Sequence, residues 1–336
     1  ICNAPSGFQR RRDMTDTSTA LWYRSPGHAT VDETPLPQLC SGMVEIETTA
    51  SLLSRGTERL IFDGRVPQKE WPRMRAPLQE GDFPFPVKYG YAAAGRVVAG
   101  DEALLGRDVF ALAPHQRRLR IPTAMALPLP GGVPPERAVL AANIETALNA
   151  VWDASPQPGA RVLVVGLGLV GLLVTFILTR TPDISVAVTD VLEERAEKAA
   201  HFSVNFLPQT DIEPDYDIVF HTSASDGGLA TALDALRFEG ILIELSWFGD
   251  RPVSAPLGGA FHSQRLTIRS SQVGHVAPAR RASTTHRDRL AAALRLATDQ
   301  RLDTLISETV DFDALPDALP RLLAPGAPGI ATRVRY

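Results

Sequence analysis

The sequence predicts an α/β protein in which a β-rich N-terminal domain precedes a doubly wound parallel sheet. Two observations lead to this fold class. Up to about residue 134 the chain consists of short β-type segments separated by proline and glycine. From Pro135 onward, strand patterns alternate with helical patterns, which is typical of a parallel sheet with helices on both faces.

The first domain is expected to be rich in strands because its segments have alternating or β-branched residues. No long helical pattern interrupts them. The predicted strands are Thr19–Tyr23, Gly42–Thr49, Pro86–Gly100, Arg107–Ala113 and Arg118–Ile121. We therefore assign residues 14–134 to this domain.

The second domain begins with a helical pattern over Pro135–Asp153 and continues to about residue 280. Helices are predicted to begin near Leu169, Leu192 and Gly228, between five strands. These strands are Arg161–Val165, Ile184–Thr189, Ile218–Thr222, Ile241–Leu245 and Leu266–Ser270. A further helix over Thr285–Thr298 and a terminal strand over Ala331–Tyr336 follow.

Composition excludes several classes of protein. The net charge of −4 argues against a nucleic-acid or anionic membrane partner. Cys2 and Cys40 are too few for a disulfide framework or a structural zinc site, which favours a reducing, cytoplasmic compartment. No window holds the roughly 18 apolar residues of a membrane span.

The first thirteen residues, Ile1–Asp13, have neither the apolar core of a signal peptide nor helical periodicity. Met14 is expected to be the natural initiator. We therefore predict that residues 1–13 form a disordered tail without a function.

The strongest local motif is a G-x-G-x-x-G pattern formed by Gly166, Gly168 and Gly171, directly after a β-branched strand and before an apolar helix. Glycine permits the tight turn, the approach of a pyrophosphate and the close packing of helix on strand. The pyrophosphate then lies at the helix N-terminus, where free N–H groups favour an anion. The motif predicts a Rossmann dinucleotide site that includes the intervening Leu167, Leu169 and Val170.

Asp190 ends the next predicted strand. An acid at this place can accept hydrogen bonds from the adenosine ribose hydroxyls and would repel a 2′-phosphate, which favours NAD(H). Alternatively, Asp190 caps a helix that begins at Val191–Leu192. Arg195 lies close enough to this acid to leave NADP open.

Several segments carry a resemblance to the medium-chain dehydrogenase/reductase family over Thr19–Tyr336. They are Gly56-Thr57-Glu58 followed by Gly64, the stretch Pro86–Val98, and the Thr146 helix ahead of the glycine motif. Ser54–Glu58 (SRGTE) and Trp247–Gly249 (WFG) are most similar to the branch of bacteriochlorophyllide hydroxyethyl dehydrogenases.

The resemblance implies a GroES-like N-terminal domain and a return of residues 281–336 to that domain. It also implies an NAD(H)-dependent oxidoreductase acting on a small molecule, and a homodimer formed through the edge strand in Leu266–Gly274. An exposed strand edge can pair with another chain and aggregate unless it is paired or covered in the native protein.

The chain departs from the family at its zinc sites. Arg55, Tyr91, Ala92 and about Ala142 stand where zinc alcohol dehydrogenases of the family place their catalytic ligands. The insert with four cysteines that holds a structural zinc has no counterpart between Phe110 and Pro122. A catalytic zinc needs about three protein ligands, so we predict no metal.

Without zinc, a hydroxyl or a cation must polarise the substrate oxygen. Thr57 falls on the family position that relays the substrate proton, although it could also be a turn threonine. Tyr91 could donate to a carbonyl oxygen or fill space. His115 is the candidate base and could instead be a solvated loop residue. Arg55 could bind substrate or pair with Glu58 on the surface.

The remaining candidates are assigned from their positions after strands or from the family. Thr146 is expected to pack against the nicotinamide, or to be a buried structural threonine. Thr222 and Ser246 are expected at the cofactor. The substrate pocket is expected to include Trp247, Phe248, Gln272 and His275. Alternatively, the aromatic pair makes ordinary core contacts, and His275 lies on a solvated loop.

Three functions remain open at this point. The favoured one is a zinc-independent, NAD(H)-dependent interconversion of an alcohol and a carbonyl by hydride transfer. An NADPH-dependent quinone or enoyl reductase also needs no metal, but Asp190 argues against it. A non-catalytic dinucleotide-binding protein is the third, and the retained Thr57 and Thr146 argue against it.

Overall fold

The computed structural model describes residues 16–336, which divide into two compact units. Of the described residues, the first unit contains 16–139 together with Glu308–Pro328 and Thr332–Tyr336. The second contains Leu140–Ser307 and Gly329–Ala331. The predicted tail over residues 1–13 lies outside the described residues.

The first unit is built mainly from short antiparallel strands. Its elements in chain order are β1 (Thr17–Ser25), β2 (His28–Pro35), β3 (Met43–Leu53), α1 (Arg55–Phe62), β4 (Glu80–Gly81), β5 (Val87–Lys88), β6 (Ala93–Gly100), β7 (Asp108–Ala111), β8 (Arg118–Pro122), β9 (Leu127–Pro128) and α2 (Pro135–Ala138).

The second unit alternates strand and helix, as predicted. Its elements are α3 (Ala141–Ala154), β10 (Arg161–Val165), α4 (Leu169–Leu178), β11 (Ser185–Thr189), α5 (Arg195–Ala200), β12 (Asn205–Phe206), β13 (Tyr216–His221), α6 (Asp226–Asp234), β14 (Leu236–Glu244), α7 (Ala260–Ser263), β15 (Thr267–Ser270) and α8 (His286–Leu296). The chain then ends with β16 (Ile306–Asp311), α9 (Leu315–Leu322) and β17 (Ala331–Arg335).

Two sheets form the first unit. One has the strand order β2-β1-β5-β4, and the other has the order β16-β17-β3-β6-β7-β9 with β8 also paired to β3. Alternate residues of these strands point inward, so Val44, Ile46, Val97, Val109 and Leu119 meet in one buried cluster. The terminal strand β17 pairs with β3, which brings the end of the chain into this unit.

The second unit holds a six-stranded sheet in the order β12-β11-β10-β13-β14-β15, in which all pairs are parallel. The central strand β10 is apolar and buried beyond its first residue, as both faces of a parallel sheet are covered. Because β10 lies between β11 and β13, its carboxyl end is the switch point at which such sheets bind ligands. None of the helices between residues 16 and 336 combines the length and apolar character of a membrane span.

The structure confirms the predicted strands and corrects several boundaries. Residues 89–92 leave the predicted strand Pro86–Gly100 and form a loop between β5 and β6. The predicted helix Pro135–Asp153 is divided into α2 and α3, and the helix expected at Leu192 begins at Arg195. Eight elements were not predicted, namely the strands β2, β4, β9, β12 and β16 and the helices α1, α7 and α9.

The return to the first unit begins at Glu308 rather than at residue 281. The reason is that α8 packs against α3 of the second unit. The buried Arg289 of α8 donates through its Nε atom to Glu145 of α3, at 2.9 Å. Residues 281–307 therefore belong with the parallel sheet. No sequence pattern marks the boundary at residue 308.

Candidate functional site

The glycine turn after β10 has a distinct requirement at each glycine. Gly166 has a φ of 100°, and a Cβ there would lie 2.7 Å from the backbone nitrogen of Ser223. A Cβ on Gly171 would lie 1.9 Å from the carbonyl oxygen of Gly166. A Cβ on Gly168 would meet no atom within 4 Å. The first and third glycines are thus fixed by packing, whereas the second leaves the surface of the turn open.

The open surface of the turn lies at the start of α4. Gly168 is the N-cap of this helix and contributes no side-chain cap. The N–H groups of Leu169, Val170 and Gly171 have no partner within the helix, because the first helical bond runs from Leu172 to Gly168. Unpaired N–H groups and the helix dipole favour an anion, and the residues present therefore fit a pyrophosphate.

Asp190 is bonded to the glycine turn. Its Oδ2 atom accepts the N–H of Leu167 at 2.6 Å, and its Oδ1 atom accepts the N–H of Leu192 at 2.9 Å. Since α5 begins at Arg195, Asp190 does not cap a helix at residues 191–192. Both carboxylate oxygens retain a lone pair with which to accept a ribose hydroxyl.

Arg195 also reaches this turn. Its Nη1 atom lies 3.4 Å from the carbonyl oxygen of Leu167, so an acid and a guanidinium both border the turn. The acid suits a free ribose hydroxyl and the guanidinium suits a 2′-phosphate. The geometry thus keeps both NAD and NADP open, as the sequence does.

Two further predicted cofactor residues lie at the same edge of the sheet. Thr222 donates to the carbonyl oxygen of Gly166 at 2.6 Å. Ser246 accepts the N–H of Ala224 at 3.1 Å and so joins the loops after β13 and β14. Thr222 therefore supports the glycine turn, and Ser246 supports the loop after β13. Thr146 instead donates to Ala142 within α3, and its side chain is half-buried.

The predicted pocket residues of this unit follow β14 and β15. Trp247 and Phe248 are half-buried, and the guanidinium of Arg251 lies 5.2 Å from the centre of the Phe248 ring. Gln272 and His275 are exposed on the loop after β15. Aromatic and polar side chains are thus placed near the carboxyl edge, as their positions after strands predict.

The loop after β15 is fixed by Arg289, which the sequence reasoning missed. This side chain is 1% exposed and donates to the carbonyl oxygens of Val273 and His275, the latter at 3.1 Å. Its Nη1 atom also donates to Asn149 of α3. A buried arginine that faces backbone carbonyls holds the loop in one conformation. The arginine-rich stretch around it contains no signal that separates Arg289 from its exposed neighbours.

In the first unit, three hydroxyl groups meet at the start of α1. The Tyr91 hydroxyl donates to Ser54 and lies 3.3 Å from the Thr57 Oγ1 atom. Burial raises the pKa of Tyr91 to about 12, although the hydrogen bonds to Ser54 and Thr57 oppose this change. The phenol is consequently a hydrogen-bond donor at neutral pH. Two of the predicted catalytic residues, Thr57 and Tyr91, are thus brought together.

A buried carboxylate, Glu58, organises the interior behind these hydroxyls. Its Oε2 atom accepts the Tyr23 hydroxyl at 2.6 Å and lies 3.0 Å from Nε2 of His115. Its Oε1 atom accepts the N–H of Ser54 at 2.7 Å. Burial, together with the neighbouring Glu58, raises the pKa of Tyr23 well above its ordinary value. Sequence reasoning considered Glu58 as part of a family segment and as a surface partner of Arg55, but not as a buried carboxylate.

His115, the candidate base, is 1% exposed. Its Nδ1 atom lies 2.6 Å from Oγ of Ser51, which lies 2.8 Å from the hydroxyl of Tyr336. The alternative that His115 is a solvated loop residue is therefore wrong, because both ring nitrogens face buried partners. Any effect of His115 on a substrate must pass through Glu58 or Ser51.

Arg55 does not form the expected surface pair with Glu58. Its guanidinium donates to the carbonyl oxygens of Ala327 and Pro328, the latter at 3.0 Å. Glu58 is completely buried and accepts from other donors. Among residues 16–336, no group of three or more His, Cys, Asp or Glu side chains is arranged to hold a metal ion.

Comparisons with known proteins agree with this architecture. No established family profile matches the chain. Over 274 residues it is 27% identical to the 2-desacetyl-2-hydroxyethyl bacteriochlorophyllide A dehydrogenase of Cereibacter sphaeroides, a match that covers 75% of this chain and 80% of the relative.

Solved structures show the same fold at lower identity. L-idonate 5-dehydrogenase from Escherichia coli superposes with a TM-score of 0.77 at 14% identity, over 96% of this chain and 99% of that chain. An Escherichia coli short-chain alcohol dehydrogenase complexed with NADH superposes with a TM-score of 0.73 at 16% identity. The match covers 95% of this chain and 99% of that chain. A Sinorhizobium meliloti dehydrogenase bound to NADP superposes with a TM-score of 0.75 at 15% identity. The match covers 96% of this chain and 100% of that chain.

Proposed function

We propose that this chain, a member of the medium-chain dehydrogenase/reductase family, is an oxidoreductase that interconverts an alcohol and a carbonyl with NAD(H). The observation that carries this proposal is the glycine turn with Asp190 bonded across it, at 2.6 Å from the N–H of Leu167. A turn that is open at Gly168 and bordered by a carboxylate suits a pyrophosphate followed by an unphosphorylated ribose.

When bound, the nicotinamide supplies the hydride chemistry, and the protein supplies binding and orientation. The N–H groups at the start of α4 hold the pyrophosphate. Asp190 accepts from the adenosine ribose. Thr222 and Ser246 keep the surrounding loops in place through their bonds to Gly166 and Ala224.

The hydroxyl proton of an alcohol must leave when the hydride leaves, and it must return in the reverse reaction. We assign this exchange to a relay through the hydroxyls of Thr57 and Tyr91, whose oxygens lie 3.3 Å apart. Both side chains are half-buried, and water is the net acceptor and donor of the proton at the end of the relay. Tyr91 stays protonated at neutral pH and can donate to a carbonyl oxygen or to the oxygen of Thr57. Glu58 and His115 act as positioning residues behind this pair.

The proposed reaction does not use zinc. Arg55, Tyr91, Ala92 and about Ala142 stand where the resemblance places the family's zinc ligands, and none of them is a good ligand for zinc. The phenol of Tyr91 takes over the polarising role that a metal would have. Whether the reaction needs zinc is tested by measuring activity in the presence of a strong chelator.

The substrate class follows from the aromatic pair Trp247 and Phe248 together with the relative from Cereibacter sphaeroides. That relative is named for a hydroxyethyl group on a bacteriochlorophyllide. We propose a hydroxyethyl-type alcohol, or the corresponding ketone, on a large planar molecule. Half-buried aromatic side chains can stack on such a ring system.

A homodimer is also proposed, with β15 as the paired edge. All four residues of this strand, Thr267–Ser270, are exposed at the end of the six-stranded sheet. An unpaired edge that is long enough to pair with a second copy is a site for association.

The first experiment is a titration of EDTA-treated protein with NADH and NADPH, followed by nicotinamide fluorescence. Tight NADH binding with much weaker NADPH binding is expected, and Asp190→Ser should reduce this preference. Because Arg195 borders the same turn, a preference for NADPH would favour a quinone or enoyl reductase instead. Failure to bind either nucleotide would contradict every dinucleotide-dependent function.

A further inference from the structure

A second polar cluster lies at the carboxyl ends of β13 and β14. His221 is completely buried, and its Nδ1 atom lies 2.7 Å from Oε2 of Glu244. Its Nε2 atom lies 2.7 Å from Oγ of Ser223, which is half-buried. The three residues form a continuous Glu–His–Ser relay that none of the assignments above uses.

The hydrogen-bond partners determine where the protons lie. An ionised Glu244 can only accept, and it already accepts the N–H of Ser246 at 2.7 Å. His221 therefore carries its proton on Nδ1 and leaves Nε2 as an acceptor. The O–H of Ser223 must then point toward His221. The buried pair thus fixes the direction of the serine hydroxyl.

A neighbouring serine limits Ser223 further. The Ser225 Oγ atom accepts the N–H of Gly228 at 3.0 Å and lies 2.9 Å from the Ser223 oxygen. Since the Ser223 hydrogen points to His221, Ser225 must be the donor in the bond between the two serines. Ser223 then donates to His221, accepts from Ser225 and retains one lone pair. At this position the protein presents a hydrogen-bond acceptor that can take one further donor.

The location of Ser223 indicates which donor this is. β10 lies between β11 and β13, so Asp190 follows the strand on one side of the glycine turn and Ser223 follows the strand on the other. Ser223 also abuts the turn, since a Cβ on Gly166 would lie 2.7 Å from its nitrogen. A dinucleotide whose pyrophosphate lies on the turn directs one ribose toward each side.

We propose that the Oγ atom of Ser223 accepts a hydrogen bond from a hydroxyl of the nicotinamide ribose. His221 and Glu244 are positioning residues that hold Ser223 as an acceptor. This inference rests on the proposed function, because it requires a dinucleotide on the glycine turn. It assigns to the chain's own residues a ribose subsite opposite Asp190.

The test compares ligands that do or do not contain the second ribose. ADP, ADP-ribose and NADH are titrated calorimetrically into the full-length protein and into Ser223→Ala. Loss of one neutral hydrogen bond should lower the affinities for NADH and ADP-ribose by about 3- to 10-fold and leave the affinity for ADP unchanged. Ser283→Ala, which changes an exposed serine between β15 and α8 that donates to the carbonyl oxygen of Arg280, is the matched control and should change none of the three affinities.

A second measurement examines the relay directly. Nitrogen-15 NMR of the histidine rings, with the His221 signals assigned by their loss in His221→Gln, should show a neutral ring protonated on Nδ1. The same tautomer is expected with and without NADH. A ring protonated on Nε2 would overturn the acceptor role of Ser223.

The remaining outcomes also decide the matter. If Ser223→Ala weakens ADP as much as NADH, then Ser223 only shapes the glycine turn and the inference is wrong. It is equally wrong if Ser223→Ala binds all three ligands like the wild type. If the wild-type protein binds neither ADP nor NADH, the proposed function itself fails, and this result is visible before any variant is made.

Discussion

The Nε2 atom of His115 lies 3.0 Å from Oε2 of Glu58, and both side chains are buried within the first unit. This pair fixes the start of α1, which has no side-chain N-cap. Glu58 reaches back and accepts the N–H of Ser54 instead. Because Thr57 precedes Glu58 in the same helix, the buried pair determines where the Thr57 hydroxyl lies.

The first prediction concerns Glu58→Gln. The amide cannot accept from Tyr23, Ser54 and His115 with its nitrogen, so at least one buried donor loses its acceptor. We expect the free energy of unfolding to fall by about 1–3 kcal/mol, measured by urea denaturation. Glu70→Gln is the control, since Glu70 forms only an exposed pair with Arg73 and should change stability by less than about 0.5 kcal/mol. Equal effects of the two substitutions would show that the Glu58 network is not stabilising.

The second prediction concerns Tyr91→Phe, which removes one hydroxyl and keeps the ring that packs edge-on against Tyr89. The affinity for NADH should not change, whereas kcat should fall by about 100-fold or more if the phenol exchanges the substrate proton. The measurement is steady-state kinetics on an accepted alcohol with EDTA present. An unchanged kcat would leave Tyr91 as a residue that only fills space.

Ionisation of Tyr91 gives a third prediction. Its pKa is raised from 10.0 to about 12, so the folded state favours the protonated phenol. The corresponding stability is complete below pH 10 and is lost as the pH rises toward 12. Between these values the wild type should lose more stability than Tyr91→Phe. Absorbance at 295 nm should also show one ionisation fewer near pH 12 in the variant, and no difference below pH 10.

Local patterns predicted the glycine turn and the parallel sheet that surrounds it. The strand, the three glycines, the helix and Asp190 lie within thirty residues of one another, and each has its own local signal. The network of the first unit could not be predicted in this way. Ser51 and Tyr336 are 285 positions apart, and Glu58 and His115 are 57 apart.

The helix α1 is a second feature that the sequence did not predict. Its eight residues begin directly after β3 and have no capping serine or aspartate bond, so no boundary signal marks it. The relay at His221 did leave a signal. A histidine at the end of an otherwise buried strand, with serines two and four positions later, is a polar group that needs partners. Its partner Glu244 lies on the neighbouring strand, and only the sheet order brings it there.

A fourth prediction concerns Arg289→Met. Removal of the guanidinium leaves the carboxyl of Glu145 buried without its partner and releases the carbonyls of Val273 and His275. A loss of about 3–5 kcal/mol in the free energy of unfolding is expected. The double variant Glu145→Gln with Arg289→Met should recover part of it, because no buried charge then remains. Absence of any recovery would contradict the role given to this ion pair.

The same variant should respond to pH in a definite direction. Burial raises the pKa of Glu145, and Arg289 opposes this rise. Without Arg289 the pKa rises further, so the folded variant is favoured at low pH and loses stability as the pH rises through that value. The difference between wild type and Arg289→Met should therefore be larger at pH 7.5 than at pH 5.

The fifth prediction uses two glycines of the same turn. Gly168→Ala places its methyl group in open space, so the protein should fold with nearly unchanged stability, yet the methyl would occupy the surface offered to the pyrophosphate. Gly171→Ala places a methyl 1.9 Å from a backbone oxygen and should reduce both folding and binding. Thermal unfolding and NADH titration separate the two effects. Normal NADH affinity in Gly168→Ala would place the dinucleotide elsewhere.

The last prediction concerns the edge strand β15. Ile268 is an apolar side chain in the middle of this strand and is 38% exposed. A lysine there should oppose association of two copies, because it places two like charges near a two-fold axis and removes apolar contact. We expect Ile268→Lys to shift the protein from dimer to monomer in sedimentation velocity experiments at micromolar concentration.

Val98→Lys is the matched control, because Val98 is also 38% exposed but lies in the other unit. It should leave the dimer intact, so that a general effect of added charge can be distinguished from an effect at β15. A wild-type protein that sediments as a monomer would contradict the proposed dimer directly. A dimer that Ile268→Lys does not weaken would place the interface away from this strand, since a charge in the middle of a paired edge cannot be accommodated without cost.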